Sequence, residues 1–317
     1  MSAGILSQIS FKKETEWGTA VVPDKSVAVR PTGGLTAKEN IQQIQAIKGQ
    51  LQKNYDAIKG KVAYEGSFTM DSFADYIGYF LLSALGTDTP NLHSSETIVY
   101  DHVFTETVPK PSLTIEQAQG ESVYRYAGCI ASGFKIIGKA GEMLEFQTDL
   151  QAKGLATATA ISPAFTTVPA FNHAQLVVKI GGVPLVEVEN FEINYKNGLE
   201  MVHAVGSVDP VYNSIKGGSE VSGKIEMYLD TTTLNRLVAY LAKTNESIEL
   251  IATGTDVLGV GAHYALDILI PKSVYTTADT KITDDHNLLG IEFAGIYDTS
   301  TSKLLGVTLT NLLATFV

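Results

Sequence analysis

The side chains able to do chemistry in this chain are few and scattered. The histidines stand at His93, His102, His173, His203, His263 and His286, with no HExxH or comparable metal-binding spacing among them. The densest group of potential ligands, Asp284-Asp285-His286, falls in a polar turn, where solvated charge is the ordinary outcome. Cys129 is the one cysteine, so there is no intrachain disulfide and no thiolate cluster. Without a His or Asn partner nearby, it reads as a half-buried strand thiol. Gly254-Thr-Asp-Val-Leu-Gly259-Val-Gly261 is glycine-rich, yet it sits between strands and opens no helix, so it lacks the N–H cradle a phosphate needs. The carboxylates fall on wet strand faces. These residues predict a protein that is not an enzyme and holds neither cofactor nor metal.

A chain of 317 residues exceeds one ordinary core and predicts two domains. Its 44% hydrophobic and 18% charged content suits a globular protein rather than a disordered one. The formal charge of -11 argues against sequence-independent nucleic-acid affinity, which needs Lys and Arg to replace phosphate counterions. Met1-Ser-Ala-Gly-Ile5 lacks the basic and apolar regions of a signal peptide, and no apolar run reaches the roughly 18 residues of a membrane span. The expectation is a soluble protein, with no membrane partner, made in a reducing cytoplasm.

The elements that must carry these residues are mostly strands. Residues 1–34 read as an extended N-terminal arm with at most one short strand, and 35–60, rich in Gln and Lys, as an exposed loop. From Lys61 the period is two: Val62, Tyr64, Gly66, Phe68 and Met70 share one face, opposite Lys61, Glu65, Ser67 and Thr69. Asp71 and Ser72 offer caps for a helix carrying Phe73, Ile77, Phe80, Leu81 and Ala84, stopped by Gly86. A loop over 87–111 precedes strands at about 112–118, 123–137 and 142–151. Residues 156–171 read as a linker. Beyond it come strands at 175–180 and 185–195 around Gly181-Gly182, then Val221 to Leu229, a helix capped by Asp230, strands near 247–252, 262–270 and 288–297, and Leu304 to Phe316. The predicted plan is therefore an arm (1–34), a first unit (35–155), the linker, and a second unit (172–317).

One stretch is written twice. Tyr55-x-x-Ile58-Lys59-Gly60, five residues, then Gly66-x-Phe68-x-Met70 returns as Tyr212-x-x-Ile215-Lys216-Gly217, five residues, then Gly223-x-Ile225-x-Met227, at a constant offset of 157. Asn40 meets Asn197 and Gly49 meets Gly206 at the same offset. Such an echo predicts a duplicated β-rich unit. Gly66 and Gly223 fall on the packed face, where a missing side chain admits the helix or a neighbouring strand.

Phe11-Lys-Lys-Glu-Thr-Glu-Trp17-Gly18-Thr19 resembles the N-terminal segment of tail tube proteins of long, flexible-tailed bacteriophages. The resemblance continues through Tyr64-Glu-Gly66-Ser-Phe68 and its helix, Pro111-Ser-Leu-Thr-Ile115, and Tyr126-Ala-Gly-Cys129 leading to Phe134. It covers most of the chain and implies a mainly β fold: two tandem tail-tube units, each a β-sandwich or partial barrel flanked by an α-helix. It further implies units that form rings, rings that stack, and inner sheets that close into one barrel around a channel for double-stranded DNA. Other implied partners are the tape-measure protein and other tail proteins at the tube ends. The implied location is the virion tail, assembled in the bacterial host cytoplasm.

On that reading the candidate lumen residues are Glu65, Glu145, Asp149, Glu192, Glu220, Glu226 and Glu292, whose negative charge would let DNA slide. Outer-surface charge is the alternative for each, and Lys61 and Lys224 on the same faces keep the channel from being uniformly acidic. Candidate ring-stacking residues are Ile47, Tyr55, Ile58, Lys59, Val205, Tyr212, Ile215 and Lys216, in loops 42–60 and 199–217. Two units per chain predict a trimeric ring with pseudo-six-fold symmetry, with a hexamer as the alternative. The competing classes are a tandem β-sandwich module that binds a receptor or carbohydrate on a virion, and a non-stacking head–tail or tail-terminator ring protein.

Overall fold

The computed structural model describes residues 7–45, 47–51, 53–94, 96–120, 122–230, 233–282 and 286–317, apart from the side chains of Thr32 and Ile282. Alternating apolar residues make the chain a β protein. The first half runs β1 (Gln8–Lys13), β2 (Lys25–Val27), β3 (Val29–Gln45), β4 (Asn54–Asp71), α1 (Ile77–Leu85), β5 (Gly86–Leu92), β6 (Tyr100–Glu106), β7 (Leu113–Gln119), β8 (Ser122–Lys139), β9 (Glu145–Ala152) and β10 (Gly154–Thr157). The second runs β11 (Leu176–Ile180), β12 (Val183–Leu185), β13 (Val188–Lys196), β14 (Leu199–Val202), β15 (Tyr212–Ile215), β16 (Glu220–Tyr228), α2 (Leu234–Leu241), β17 (Glu246–Val257), β18 (His263–Ile282), β19 (Asn287–Gly295) and β20 (Gly306–Asn311).

The pairing scheme recurs. In the first half β1 pairs with β2 and β7, β7 with β8, β8 with β9 and β10, and β4 lies between β9 and β3. In the second, β11 pairs with β12 and β17, β17 with β18, β18 with β19 and β20, and β16 lies between β19 and β13. All are antiparallel. The halves are sewn together where β13 pairs with β8 and β20 with β6.

The β9 strand illustrates how the pattern builds the sheet. Phe146, Thr148 and Leu150 are buried while Glu145, Gln147 and Asp149 between them face outward. Gly66 and Gly223 permit close strand approach: a Cβ at Gly66 would overlap the Gly34 carbonyl, and one at Gly223 the Glu192 carbonyl and the Phe293 ring. At the centre of the first half, every residue of α1 is buried. Phe80 meets Phe11 and Phe68 at ring-centroid distances of 5.1 and 5.4 Å, and Tyr79 meets Phe316 at 5.0 Å.

Several expectations need correction. The N-terminal segment carries more than one short strand: β1 pairs with β2 and along β7, β3 begins at Val29, and Phe11 is completely buried. Residues 35–60 form most of a long hairpin, β3–β4, rather than a loop. Residues 87–111 include the β5–β6 hairpin. The helix after β4 starts later than expected, at Ile77, without a side-chain cap. Asp71 instead ends β4 and accepts from Arg30 Nη2 at 2.9 Å, and Ser72 Oγ is buried without a hydrogen-bond partner among the described residues. Gly86 does end α1, at φ 116°. Asp230 accepts from the Thr233 N–H at 2.7 Å and so shapes the start of α2.

Candidate assembly surfaces

Strands β3, β4, β9, β8, β13, β16, β19 and β18 follow one another in a continuous antiparallel run across both halves. Residues directly opposite on an antiparallel ladder point to the same side. Ser67 faces Asp149, Asp71 faces Glu145, Ile137 lies between Glu145 and Glu192, and Lys224 lies between Glu192 and Glu292. The register therefore brings Glu65, Glu145, Asp149, Glu192, Glu220, Glu226 and Glu292 onto one face.

That face is polar but not a bare acidic wall. Lys38 pairs with Glu65 at 2.6 Å, Lys135 with Glu192 at 2.9 Å, and Arg30 with both Asp71 and Glu145. Glu226 accepts from Lys224 at 2.8 Å and Lys281 at 2.9 Å, and also from Asn190. Those donors, Lys224 foremost, hold its carboxyl down to about 2. Glu220 and Glu292 make no ion pair among the described residues and are exposed. Lys61 is exposed at the root of β4. Of the polar-turn cluster, Asp284 and Asp285 lie outside the described residues. Among those described, no three His, Cys, Asp or Glu side chains gather as metal ligands.

The stacking candidates divide between two unlike hairpins. β3 and β4 extend beyond the sheet and display Ile41, Ile44, Ile58 and, at the tip, Ile47 and Leu51, both fully exposed. Lys59 pairs with Glu39 at 2.8 Å, and Tyr55 lies under the Lys48 ammonium, 4.3 Å from its ring centre. The second set rides on the short β14–β15 hairpin, which leans on the root of the first. Val62 N–H donates to the Val208 carbonyl at 2.8 Å, and Tyr64 Oη to Asp209 at 2.7 Å. Val205 and Tyr212 remain exposed, Ile215 is half-buried, and Lys216 pairs with Glu200 at 3.5 Å.

One anchor escaped the sequence reading. Glu14, buried, accepts from Ser112 Oγ at 2.6 Å, Thr114 Oγ1 at 2.8 Å, and the N–H groups of Gly128 and Gly18 at 2.8 and 2.9 Å. Trp17 Nε1 donates to the Gly128 carbonyl at 3.1 Å under the Lys153 ammonium. Glu14 and Trp17 thus fasten the N-terminal segment to β7 and β8. A Glu between Lys13 and Thr15 reads as surface charge, and only the clustering of donors in space betrays its role.

The sequence model of the phage tail tube protein family matches residues 4–295, most of the chain. The chain belongs to that family. It is accordingly a structural component of a phage tail, and membership implies self-assembly into a tube together with other tail proteins. No curated protein matches this tail tube family member. No helix among its described residues is long and apolar enough to cross a membrane.

Proposed function

We propose that this tail tube protein forms rings of three chains with pseudo-six-fold symmetry, and that the rings stack into a channel through which double-stranded DNA passes during ejection. On this reading each chain is a tandem pair of tail-tube units, 35–155 and 172–317. The observation that carries the proposal is the continuous β3-to-β18 run with one polar face. Neither β3 nor the 274–282 stretch of β18 has a second neighbour among the described strands. A sheet left open at both ends closes by meeting copies of itself, which removes its edges.

The polar face then lines the channel. Lysines interleaved with its carboxylates keep the wall mildly negative, enough to weaken attachment of a phosphate backbone without a steep repulsion. The tape-measure protein occupies the same channel before DNA does. The exposed apolar tip at Ile47 and Leu51 is a ring-to-ring contact, with Val205 and Tyr212 adding to it. Assembly takes place in the bacterial host cytoplasm.

Electron microscopy of purified protein tests this reading. Hollow tubes with three chains per disc are expected, and six chains per disc would sink the trimer. Shortening the 42–57 hairpin is expected to leave rings that do not elongate. Tubes of normal length from that variant would remove its stacking role.

A further inference from the structure

The two halves of the chain meet at a strand joint. β13 pairs with β8 through Glu192–Ile137, Ile193–Ile136, Asn194–Lys135 and Tyr195–Phe134. Each of these strands has a counterpart in the other half with an open edge. Ile193 faces Gly223 on β16 as Leu35 faces Gly66 on β4, which equates β13 with β3. Phe134 faces Thr148 on β9 as Ala278 faces Ile291 on β19, which equates β8 with β18. Even the irregularities correspond: β8 is bulged between Ala131 and Gly133, and β18 between Tyr275 and Thr277, against equivalent partners.

Asn197 shows what the in-chain joint does beyond pairing strands. It is fully buried, and its Nδ2 donates to the Ala84 carbonyl at the end of α1 at 2.9 Å and to the Ala131 carbonyl of β8 at 2.8 Å. Its Oδ1 accepts from the Leu199 N–H at 3.0 Å. Asn40 occupies the same place in the repeat, at the offset of 157, inside the irregularity of β3 between Glu39 and Ile41. Yet Asn40 is exposed, and its side chain forms no hydrogen bond among the described residues. The same offset carries Ala84 to Leu241, the last residue of α2.

We infer that a second copy of this chain lays its β3 antiparallel along the open edge of β18, with Ala37 opposite Ala278 and with its Asn40 side chain donating to the carbonyls of Leu241 and Tyr275. This rests on the ring-forming reading above and specifies which edges meet and in what register. In that register Thr36 faces Asp279 and Lys38 faces Thr277, so Lys38 lies diagonal to the Asp279 carboxylate. Two side chains hold the place beforehand. Leu35 N–H donates to Gln117 Oε1, and the Leu35 carbonyl accepts from Tyr126 Oη, each at 2.9 Å, blunting the edge until a partner strand displaces them. The Leu35 N–H and C=O therefore point away from β4, as the joint requires.

The test is oxidation of assembled protein carrying Ala37→Cys and Ala278→Cys, read on a non-reducing gel. Directly opposed strand positions fall within disulfide reach, and Cys129, fully buried, stays out of the exchange. Chain-to-chain dimers and trimers are expected from this pair and not from either single variant, nor from Ala37→Cys with Thr280→Cys, which is shifted by two residues on the same face. Tubes that form without the link, or that link equally at Thr280, overturn the pairing while leaving tube assembly standing. Wild-type protein that makes no tubes defeats the tube reading and this inference with it. Asn40→Ala is the second arm: it should leave the unfolding midpoint of the unassembled chain unchanged but lose assembly, whereas Asn197→Ala should lower that midpoint. Normal assembly of Asn40→Ala overturns the capping role.

Discussion

α1 and α2 occupy the same place in the two halves, 157 residues apart, and have opposite fates. Every residue of α1 is buried and none of α2 is, and Leu234, Val238 and Leu241 of α2 stand out in solvent. Their sequences already differ in kind: α1 is apolar nearly all round and carries no charge, whereas α2 sets Asn235 and Arg236 beside an apolar stripe. The cover differs as well. α1 lies beneath Phe11 of β1, beside the β5–β6 hairpin, and under Phe316 of the chain's last turn, while Asn197 of the second half holds its end. α2 runs almost directly into β17, with no hairpin between them. α1 is thus covered both by its own half, through Phe11 and the β5–β6 hairpin, and by the second, through Phe316 and Asn197, and α2 has no such cover among the described residues.

The comparison can be broken most forcefully at Phe80. Phe80→Ala is expected to lower stability by about 3–5 kcal/mol, read from a denaturant midpoint, because the ring fills a fully packed site. Val238→Ala on α2 should stay within about 0.5 kcal/mol in the unassembled chain. Comparable losses at the two sites would end the contrast.

Glu14→Ala comes next. It strands buried donors around the segment that carries Phe11 over α1, and should lower stability by about 1–3 kcal/mol or more. Glu14→Gln should recover only part of this.

Gly78→Ala sharpens the comparison further. A Cβ at Gly78 would overlap the Phe316 ring, so this substitution should destabilise by about 1–3 kcal/mol despite alanine's better helix propensity. Its counterpart Asn235→Ala, on exposed α2, should be neutral or stabilise by a few tenths of a kcal/mol.

The smallest effect belongs to Asp267, half-buried on β18 in the second half. Burial, reinforced by Glu249, pushes its carboxyl up to about 6 from 3.8. The folded chain therefore holds that proton more tightly than the unfolded chain. The stability this provides is complete below pH 3.8 and is lost as pH rises toward 6. Asp267→Asn should raise the unfolding midpoint above pH 6, by about 1 kcal/mol after solvent screening, and leave it unchanged below pH 4. A stabilisation that persists at low pH would place its origin elsewhere.

Much of the sheet was legible beforehand because one face is wet and the other packed. Val62 to Met70, Leu144 to Leu150 and Val221 to Met227 alternate, and they fold as strands whose carboxylates share a face. The outer part of β3 was not legible. Lys38-Glu-Asn-Ile-Gln-Gln-Ile-Gln45 is exposed on both sides, so no burial imposes a period on it. The β5–β6 hairpin hid behind Pro90 and a run of small polar residues on an edge. The capping role of Asp71 failed because Arg30, distant in sequence, claims its carboxylate.

The sequence by itself determined the class of fold and, for the strands just named, the side that meets water, because these follow from local alternation; it placed Cys129 half-buried on a strand, and the fold buries that thiol completely. Tertiary structure alone decided which edges close and which stay open. It also decided that Glu14 and Asn197 are buried anchors while the Asn40 side chain is exposed and forms no hydrogen bond among the described residues. Those properties depend on partners brought from far along the chain, and residues alike in type and spacing differ only in whether such a partner arrives.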